Sequence, residues 1–393
     1  MIRKHEFLHK AGSIALLLIA AILWIPLYLA RLRFVRVSAF ERIGHLALEP
    51  DVFIKEQALG MSKRCKGVIV RTFSIAANEC LLEYWGREFR IVNSPILRVM
   101  LARVNRLPYI GYDVRQVAIN QTAPHIAVQK AWGSRPAVLA LTEKHRRKGM
   151  EGLEELGVPR DAEFICFHCR EGNYSPSDEE SHSFRNCSVE NYLPAVSELA
   201  RFGYWCIRMG DPSMRQIPKL ERVIDYAHLR ARSDWMDVFL CATCKCFLGC
   251  ASGLVFLPYV FGKSSGSANH ATLSTVLAFS RNDVAIPKLL WSEDRQRYLS
   301  FPEIFRSDVA NFRFTALFKE NRIRPIENTA DDVRALALEM LERSRGLAAY
   351  TPEDEELQER FKALMRPGHY SYGGINRIGR DFLRKYAYLL EDR

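Results

Sequence analysis

The sequence predicts an α/β fold in which parallel strands are joined by helical crossovers. Three largely apolar runs are predicted strands, at residues 164–170, 204–209 and 244–248. The first is a continuous run and not an alternation, which is typical of a parallel strand that is covered on both faces. Between the first two runs, Tyr192, Val196 and Leu199 recur at helical spacing and are followed by Gly203. Strand, helix and strand in this order predict a βαβ unit.

Charged and small residues stand where the first two predicted strands end. His168 and Arg170 close the first strand, and their spacing places both side chains on one face. Arg208 and Gly210 stand at the end of the second strand. Open α/β sheets bind ligands at the carboxyl ends of their strands, so these residues mark a predicted anion site.

The connection between these two strands is predicted as a polar loop followed by a helix. Residues 171–183 are the loop, and its acidic stretch 178–180 is interpreted as mobile and solvated. Asn186 or Ser188 is the predicted N-cap of the helix, because both side chains can accept a hydrogen bond from a free backbone N–H.

A third unit has the same order of elements. A helix around residues 234–237 precedes the strand at 244–248, the small-residue turn 249–253 and a helix at 254–261. A turn of this kind offers backbone N–H groups to a phosphate. Ser252 and Gly253 are therefore predicted phosphate contacts, and the alternative is that they only make a tight turn.

The N-terminus carries a candidate membrane segment. Residues 11–30 are uncharged, and basic residues flank them on both sides. About 20 apolar residues are enough to cross a bilayer. Because both flanks are basic and Pro26 permits a kink, a re-entrant helix fits the charges best, while a simple span and a cleaved signal peptide are the alternatives.

Composition narrows the class of protein. The 393 residues suit two domains and an anchor, and the net charge of +11 favours anionic partners. No pattern typical of a nucleic-acid-binding motif is present. The ten cysteines fall largely in predicted buried strands, which favours a reducing compartment. Three glycosylation sequons, at Asn120, Asn173 and Asn186, favour a secretory lumen instead.

Five short segments of the chain resemble one protein family. They are His168-Cys169-Arg170, Phe184-Arg185-Asn186, Arg208-Met209-Gly210, Ile224-Asp225-Tyr226-Ala227 and Ser252-Gly253-Leu254. Together with an N-terminal segment at 42–46, they are similar to the motifs of bacterial glycosyltransferases encoded with surface-polysaccharide genes. The first segment is also similar, over a shorter stretch, to O-fucosyltransferase-like enzymes.

The resemblance implies a GT-B-like fold, with two Rossmann-like domains that face each other across a cleft. The uncharged N-terminal run adds a predicted membrane helix. The predicted divisions are a membrane anchor at 1–36, an acceptor-side domain at 37–150, a nucleotide-sugar-binding domain at 151–328 and C-terminal helices at 329–393 that pack back on the body. The turn at 157–159 is the predicted opening of the second domain.

The predicted site residues follow from the motifs. A guanidinium binds phosphate oxygens in a fork and stays charged, so Arg170 is the first candidate for the diphosphate and for catalysis. The remaining predicted donor contacts are His168, Arg208, Gly210, Ser252 and Gly253. Asp225 and Tyr226 are predicted to contact the nucleoside, and Tyr226 is alternatively a core residue. The resemblance makes His45 the predicted general base, with Glu190 and Asp211 as fallbacks.

The sequence predicts no metal and no cofactor other than a nucleotide-sugar co-substrate. The cysteine spacing at residues 241–250 departs from that of a ferredoxin by one residue. The predicted partners are a nucleotide-diphosphate sugar, a lipid-linked or glycan acceptor and membrane lipids, at the cytoplasmic face of a bacterial inner membrane. Two alternatives are an O-fucosyltransferase-like enzyme acting on protein in a secretory lumen and a non-catalytic scaffold of a polysaccharide assembly complex.

Overall fold

The computed structural model describes Ile22, Pro26 and residues 29–71, 75–97, 111–113, 123–172, 174 and 176–392. The chain forms two compact units, Met1–Gln121 and Thr122–Arg393. Among the described residues, no helix combines the length and the apolar character needed to cross a membrane. Most of the predicted anchor and the sequons at Asn120 and Asn173 lie outside the described residues, so those expectations stay predictions.

The first unit contains a parallel sheet. Its described strands run in the order β3-β2-β1-β4, and β1 pairs with β2 on one side and with β4 on the other. The strands are β1 Leu32–Arg36, β2 Lys66–Val70, β3 Arg90–Val92 and β4 Gly111–Asp113. The described helices of this unit are α1 Ile43–Ala58 and α2 Glu79–Trp85. Trp85 is fully buried and donates from its indole nitrogen to Leu46 O at 2.9 Å, which joins the two helices.

The second unit is organised around a longer parallel sheet. In the described part of the chain it has seven strands in the order β14-β10-β9-β8-β5-β6-β7, and every pairing is parallel. The strands are β5 Phe164–Phe167, β6 Trp205–Arg208, β7 Val223–Ile224, β8 Phe247–Gly249, β9 Ser265–His270, β10 Val284–Pro287 and β14 Arg377–Ile378. The prediction of an α/β fold with parallel strands is confirmed.

A small antiparallel sheet and a set of helices surround this sheet. The small sheet has the order β12-β11-β13, formed by β11 Leu289–Ser292, β12 Arg297–Tyr298 and β13 Ile323–Ile326. The described helices are α3 Ala123–Trp132, α4 Glu143–Glu155, α5 Pro176–His182, α6 Leu193–Arg201, α7 Asp234–Thr243, α8 Phe256–Val260, α9 Phe301–Phe305, α10 Thr315–Glu320, α11 Ala330–Ser344, α12 Pro352–Ala363 and α13 Arg380–Lys385. The turn at 157–159 connects α4 to β5 inside this unit.

Two local expectations about the connection between β5 and β6 were wrong. The acidic stretch is not a solvated loop, because it forms α5, where Asp178 pairs with Arg170 and Glu179 accepts from Asn186. Neither Asn186 nor Ser188 caps α6, which begins after Tyr192 without a side-chain cap. The amide of Asn186 is already used by its two partners, and the Ser188 hydroxyl donates to Glu190.

The C-terminal segment completes the second unit. Helix α11 packs on α6 and on β9, and α13 packs on α11. Strand β14 then joins the edge of the large sheet next to β10. The chain after residue 329 is therefore an integral part of the sheet and its covering layer.

Candidate functional site

The topology of the second sheet creates a switch point between β5 and β8. From β5 the chain moves outward through β6 and β7, and it then returns to β8 on the opposite side of β5. Ligands of open α/β sheets bind in the crevice at such a point, outside the carboxyl ends of the strands. Arg170 follows β5 there, and its backbone N–H donates to the sulfur of Cys250, which follows β8, at 3.1 Å.

Arg170 is the charged centre of this edge. Its side chain is 13% exposed, and its guanidinium donates to Asp178 Oδ2 at 2.8 Å. It also donates to Asn186 Oδ1 and, at 3.3 Å, to the backbone oxygen of His182. Asp178 contacts the guanidinium through one carboxylate oxygen, and an anionic ligand such as a phosphate could take this position.

The 249–253 turn lies beside Arg170 but differs in detail from the expected helix start. The Ser252 hydroxyl accepts from Leu254 N at 3.4 Å and caps a 3-10 turn at Gly253–Val255. Helix α8 that follows has only five residues, so its dipole is a weak source of positive potential. Arg185 donates from Nε to Ala251 O at 2.7 Å and thereby ties a second guanidinium to the turn.

His168 and Gly210 form a tightly packed contact between β5 and β6. His168 is buried, and its Nδ1 lies 3.0 Å from Met209 O. Burial lowers the pKa of His168, so a neutral ring that donates to Met209 O is favoured. Gly210 has φ of +147°, and a Cβ at this position would lie 2.3 Å from Met214 Sδ. Both residues shape the strand ends.

Arg208 lies inside the protein. The side chain has no exposed surface, and its guanidinium donates to Glu171 Oε2 at 2.7 Å and to Arg215 O at 2.5 Å. Asp225 Oδ1 lies 3.4 Å away on the other side. Asp225 in turn accepts from the backbone N–H of Ile217 at 3.1 Å. This arrangement joins the segments after β5, β6 and β7, which makes Arg208 and Asp225 structural elements of the sheet edge.

Tyr226 occupies the core, as in the alternative that the sequence left open. It is fully buried, and its hydroxyl accepts from Ser233 N at 3.0 Å. Burial raises the pKa of Tyr226 and raises the pKa of the neighbouring Asp237 to about 6. The side chain anchors the start of α7.

In the first unit, His45 belongs to a small hydrogen-bonded group at the start of α1. Its Nδ1 lies 2.8 Å from Glu49 Oε1 and 2.9 Å from Ser38 Oγ. Glu49 is 1% exposed and also accepts from the backbone N–H of Ser38 at 2.7 Å. The contacts that described residues make to the ring go to Nδ1, and the side chain is 37% exposed. A ring protonated on Nδ1 carries its lone pair on Nε2, which is the state that a general base needs.

The comparisons with known proteins give partial structural similarity. No family model matches the chain, and no curated protein matches it. A glycosyl transferase family 9 structure from Veillonella parvula aligns with a TM-score of 0.40 and 10% identity, over 60% of this chain and 79% of that chain.

Two structures of TibC also align. The iron-containing dodecameric glycosyltransferase TibC from enterotoxigenic E. coli gives a TM-score of 0.35 and 14% identity, over 63% of this chain and 60% of that chain. TibC described as a heptosyltransferase in complex with ADP-D-beta-D-heptose gives 0.31 and 12%, over 62% and 58%. These values assign neither a family nor a reaction to the present chain.

No metal centre is evident within the described residues. There, no group of three or more His, Cys, Asp or Glu side chains is placed to hold a metal ion. All ten cysteines are free thiols, including the four in the 241–250 segment. Whether the reaction needs a metal is not tested by these observations, and metal independence stays a prediction from the sequence.

Sequence reasoning missed two residues that organise the site. Asn186 accepts from Arg170 and donates to Glu179 at 2.7 Å, and its backbone oxygen accepts from Lys288 Nζ at 2.5 Å. Lys288 follows β10 and is 3% exposed. Asn186 stood within a quoted motif, but it was interpreted as a helix cap. Lys288 carried no signal, because its place at the sheet edge depends on the strand order.

Gly210→Ala should destabilise the second unit by about 2–4 kcal/mol, since it combines a backbone conformation that side chains rarely adopt with a contact against Met214. Urea unfolding followed by circular dichroism measures this cost. The matched control is Gly346→Ala, where φ is +69° and no atom lies within 4 Å of the new Cβ, so only about 1–2 kcal/mol is expected. The backbone conformation at Gly210 is also the less accessible of the two, so a cost no larger than that of Gly346→Ala would contradict this prediction.

Proposed function

We propose that this chain is a membrane-associated glycosyltransferase. It transfers a sugar from a nucleotide-activated donor to a lipid-linked or polysaccharide acceptor in bacterial surface-polysaccharide biosynthesis, which includes lipopolysaccharide, capsule and O-antigen. The supporting observation is the position of Arg170 beside the 249–253 turn at the switch point of a parallel sheet. The motif resemblance supports the choice of glycosyl transfer among the reactions that use such a site.

The donor side of the reaction needs positive charge at the leaving diphosphate. Arg170 provides a fork of donors, and its present partner Asp178 is a carboxylate that a diphosphate would displace. Arg185 is the second cation at the turn, through its bond to Ala251 O. The backbone N–H of Gly253 is a further proposed contact. That of Ser252 donates to Cys250 O at 2.6 Å in the structure, so in this proposal it exchanges this partner for the phosphate. In this proposal no metal is needed, because guanidinium groups neutralise the developing charge.

In this proposal, Arg208 and Asp225 support the same site through the residues that they hold. Arg208 holds Glu171, the residue next to Arg170 in the chain, through a 2.7 Å ion pair. We therefore propose that Arg208 and Asp225 are positioning residues. Neither of them, in this proposal, contacts the phosphates or the nucleoside.

The acceptor side needs a group that removes a proton from a hydroxyl. His45 is our candidate, with its Nδ1 held by Glu49 so that Nε2 is the basic nitrogen. A GT-B-like arrangement would place this residue on the acceptor side. A membrane anchor at residues 1–36 would hold the enzyme at the bilayer in which a lipid-linked acceptor is confined, and this raises the effective acceptor concentration.

One observation bears on the alternative of an enzyme in a secretory lumen. Glycosylation at the sequon of Asn186 would modify the amide nitrogen that donates to Glu179 at 2.7 Å. The same amide group accepts from Arg170, so a glycan there would disrupt the site. This supports a compartment without N-glycosylation, and it agrees with the free thiols. We propose the cytoplasmic face of the inner membrane.

The test is thermal stabilisation of the full chain in detergent by a panel of nucleoside diphosphates and nucleotide sugars. A ligand at 100 times its Kd stabilises the folded state by about 2.7 kcal/mol. We expect one nucleotide to raise Tm selectively. Arg170→Ala should weaken that ligand by roughly 10–100-fold, because a charged hydrogen bond is worth about 1.5–3 kcal/mol.

The matched control is Arg160→Ala, in the turn before β5 at the opposite edge of the sheet. Its side chain is 66% exposed, so this variant should bind as the unchanged protein does. If no nucleotide of the panel raises Tm, the scaffold alternative becomes the better account. If Arg170→Ala binds normally, the donor site lies elsewhere.

A further inference from the structure

Three cysteine thiols meet directly behind Arg170. The sulfurs of Cys169 and Cys187 are 3.2 Å apart, and Cys250 is an electrostatic neighbour of Cys187. Cys250 in turn accepts from the backbone N–H of Arg170 at 3.1 Å. The glycosyl-transfer reaction proposed above uses none of these thiols.

The sulfurs of Cys169 and Cys187 need only a short movement to form a disulfide bond. A disulfide bond is about 2.05 Å long, so the two sulfurs need to approach by only about 1.2 Å. The backbone already holds the two segments side by side, because Cys187 N donates to Arg170 O at 2.9 Å. Both residues are buried free thiols in the structure.

Cys187 has the electrostatic surroundings of the attacking thiol. Burial acts to raise the pKa of Cys187, but hydrogen bonds from Cys169 and Cys250 and the nearby Lys288 ammonium lower it, and the net shift is downward. Burial raises the pKa of Cys169 and of Cys250. Cys187 is also 4% exposed, whereas the other two have no exposed surface.

We propose that Cys169 and Cys187 are an oxidisable thiol pair that closes to a disulfide behind Arg170 in the presence of a hydroperoxide. The Cys187 thiolate attacks the terminal peroxide oxygen, the O–O bond breaks, and water or an alcohol leaves after taking a proton. The resulting sulfenic acid is attacked by the Cys169 sulfur, which forms the S–S bond and releases water. Two thiols and one hydroperoxide thus yield one disulfide, one water and one water or alcohol.

The disulfide bond would close a loop that contains the partner of Arg170. Residues 170–186 lie between the two cysteines, and this segment includes α5 with Asp178, the present partner of Arg170. Closing the loop stabilises the arrangement in which Arg170 is paired with Asp178. The next step rests on the proposed function. If the protein binds a nucleotide donor, oxidation should weaken donor binding, because the diphosphate must displace Asp178 from Arg170.

The test treats the folded full chain with hydrogen peroxide and locates the products by mass spectrometry after digestion. We expect a loss of two hydrogens that maps to a Cys169–Cys187 cross-linked peptide, and a rise in Tm of roughly 5–10 °C for a loop of this size. Dithiothreitol should reverse both changes. These readouts require no donor, so they stand or fall independently of the nucleotide panel.

Cys169→Ser and Cys187→Ser should each abolish the cross-link and the rise in Tm. Cys206→Ser is the matched control, because Cys206 is equally buried and bonds to the backbone oxygen of Val196. Folding of each serine variant is checked by circular dichroism before oxidation. The proposal is overturned if the folded protein forms no Cys169–Cys187 bond under millimolar peroxide, or if Cys187 pairs with Cys250 instead.

Discussion

Arg208→Ala is expected to lower the free energy of unfolding by about 3–5 kcal/mol, the cost of removing one partner from a buried ion pair. The side chain has no exposed surface, and its removal leaves Glu171 and Asp225 without the cation between them. The backbone oxygen of Arg215 also loses its donor at 2.5 Å. Urea unfolding of the full chain, followed by circular dichroism, measures the change.

Two further variants show whether the loss of stability comes from the charge of Arg208, from the shape of its guanidinium, or from the removal of any arginine. Arg208→Lys keeps the charge but loses the fork, so it should cost less than Arg208→Ala. Arg201→Ala is the matched control, because Arg201 is exposed at the end of α6 and should change stability by no more than about 0.5 kcal/mol. A cost below 1 kcal/mol for Arg208→Ala would mean that the two carboxylates find other partners or protons.

The sequence predicted β5 and β6 closely because these strands are composed of apolar residues, whereas β8 begins at Phe247, three residues after the predicted start at residue 244. The strand β5 is Phe-Ile-Cys-Phe and is buried at all four positions, so a continuous apolar run identified it. Strand β9 went unpredicted for the opposite reason. It reads Ser-Gly-Ser-Ala-Asn-His and is buried at all six positions, but no local pattern indicates burial. Its Gly266 lies against Met340 of α11, so a contact distant in sequence decides its place.

The sequence predicted that Arg170 and the 249–253 turn lie at the same edge of the sheet, but it did not predict which of the charged side chains there are buried. The order of strands placed Arg170 and the 249–253 turn at one edge, as expected for parallel strands with this register. Two arginines near the carboxyl ends of neighbouring strands nevertheless differ in environment, since Arg208 is the last residue of β6 and Arg170 lies three residues after β5. Arg208 is enclosed by Glu171 and Asp225, whereas Arg170 is partly exposed. The two arginines differ only because the fold places the carboxylates of Glu171 and Asp225 around Arg208, and the local sequence does not show this.

For His45, in contrast, the partner could have been predicted from the spacing of residues along the sequence. Glu49 stands four residues after His45, which places the two side chains on the same face of a helix. The pairing was not predicted because the sequence analysis assigned no helix to the N-terminal segment at 42–46 and the residues after it. Once α1 is known, the carboxylate that orients the imidazole follows from spacing alone.

His45→Ala is expected to lower kcat by roughly 10²–10⁴, the usual contribution of a general base. Donor affinity should be unchanged, because the proposed donor contacts lie in the second unit. Glu49→Gln should reduce kcat less, since the amide oxygen still accepts from Nδ1 but no longer stabilises a charged imidazolium. The measurement is release of nucleoside diphosphate from the donor selected by the panel, with a bacterial membrane lipid extract as the source of acceptor.

Ser38→Ala is the control for this group. It removes a hydroxyl that lies 2.9 Å from Nδ1 but leaves the contact between His45 and Glu49, so kcat should stay within a few-fold of the unchanged protein. A general-base role requires the order Ser38→Ala, Glu49→Gln, His45→Ala in increasing loss of kcat, with the Kd of the donor constant. If His45→Ala keeps kcat within threefold, the proton is taken by another group. If it weakens the donor instead, His45 belongs to donor binding and not to the acceptor side.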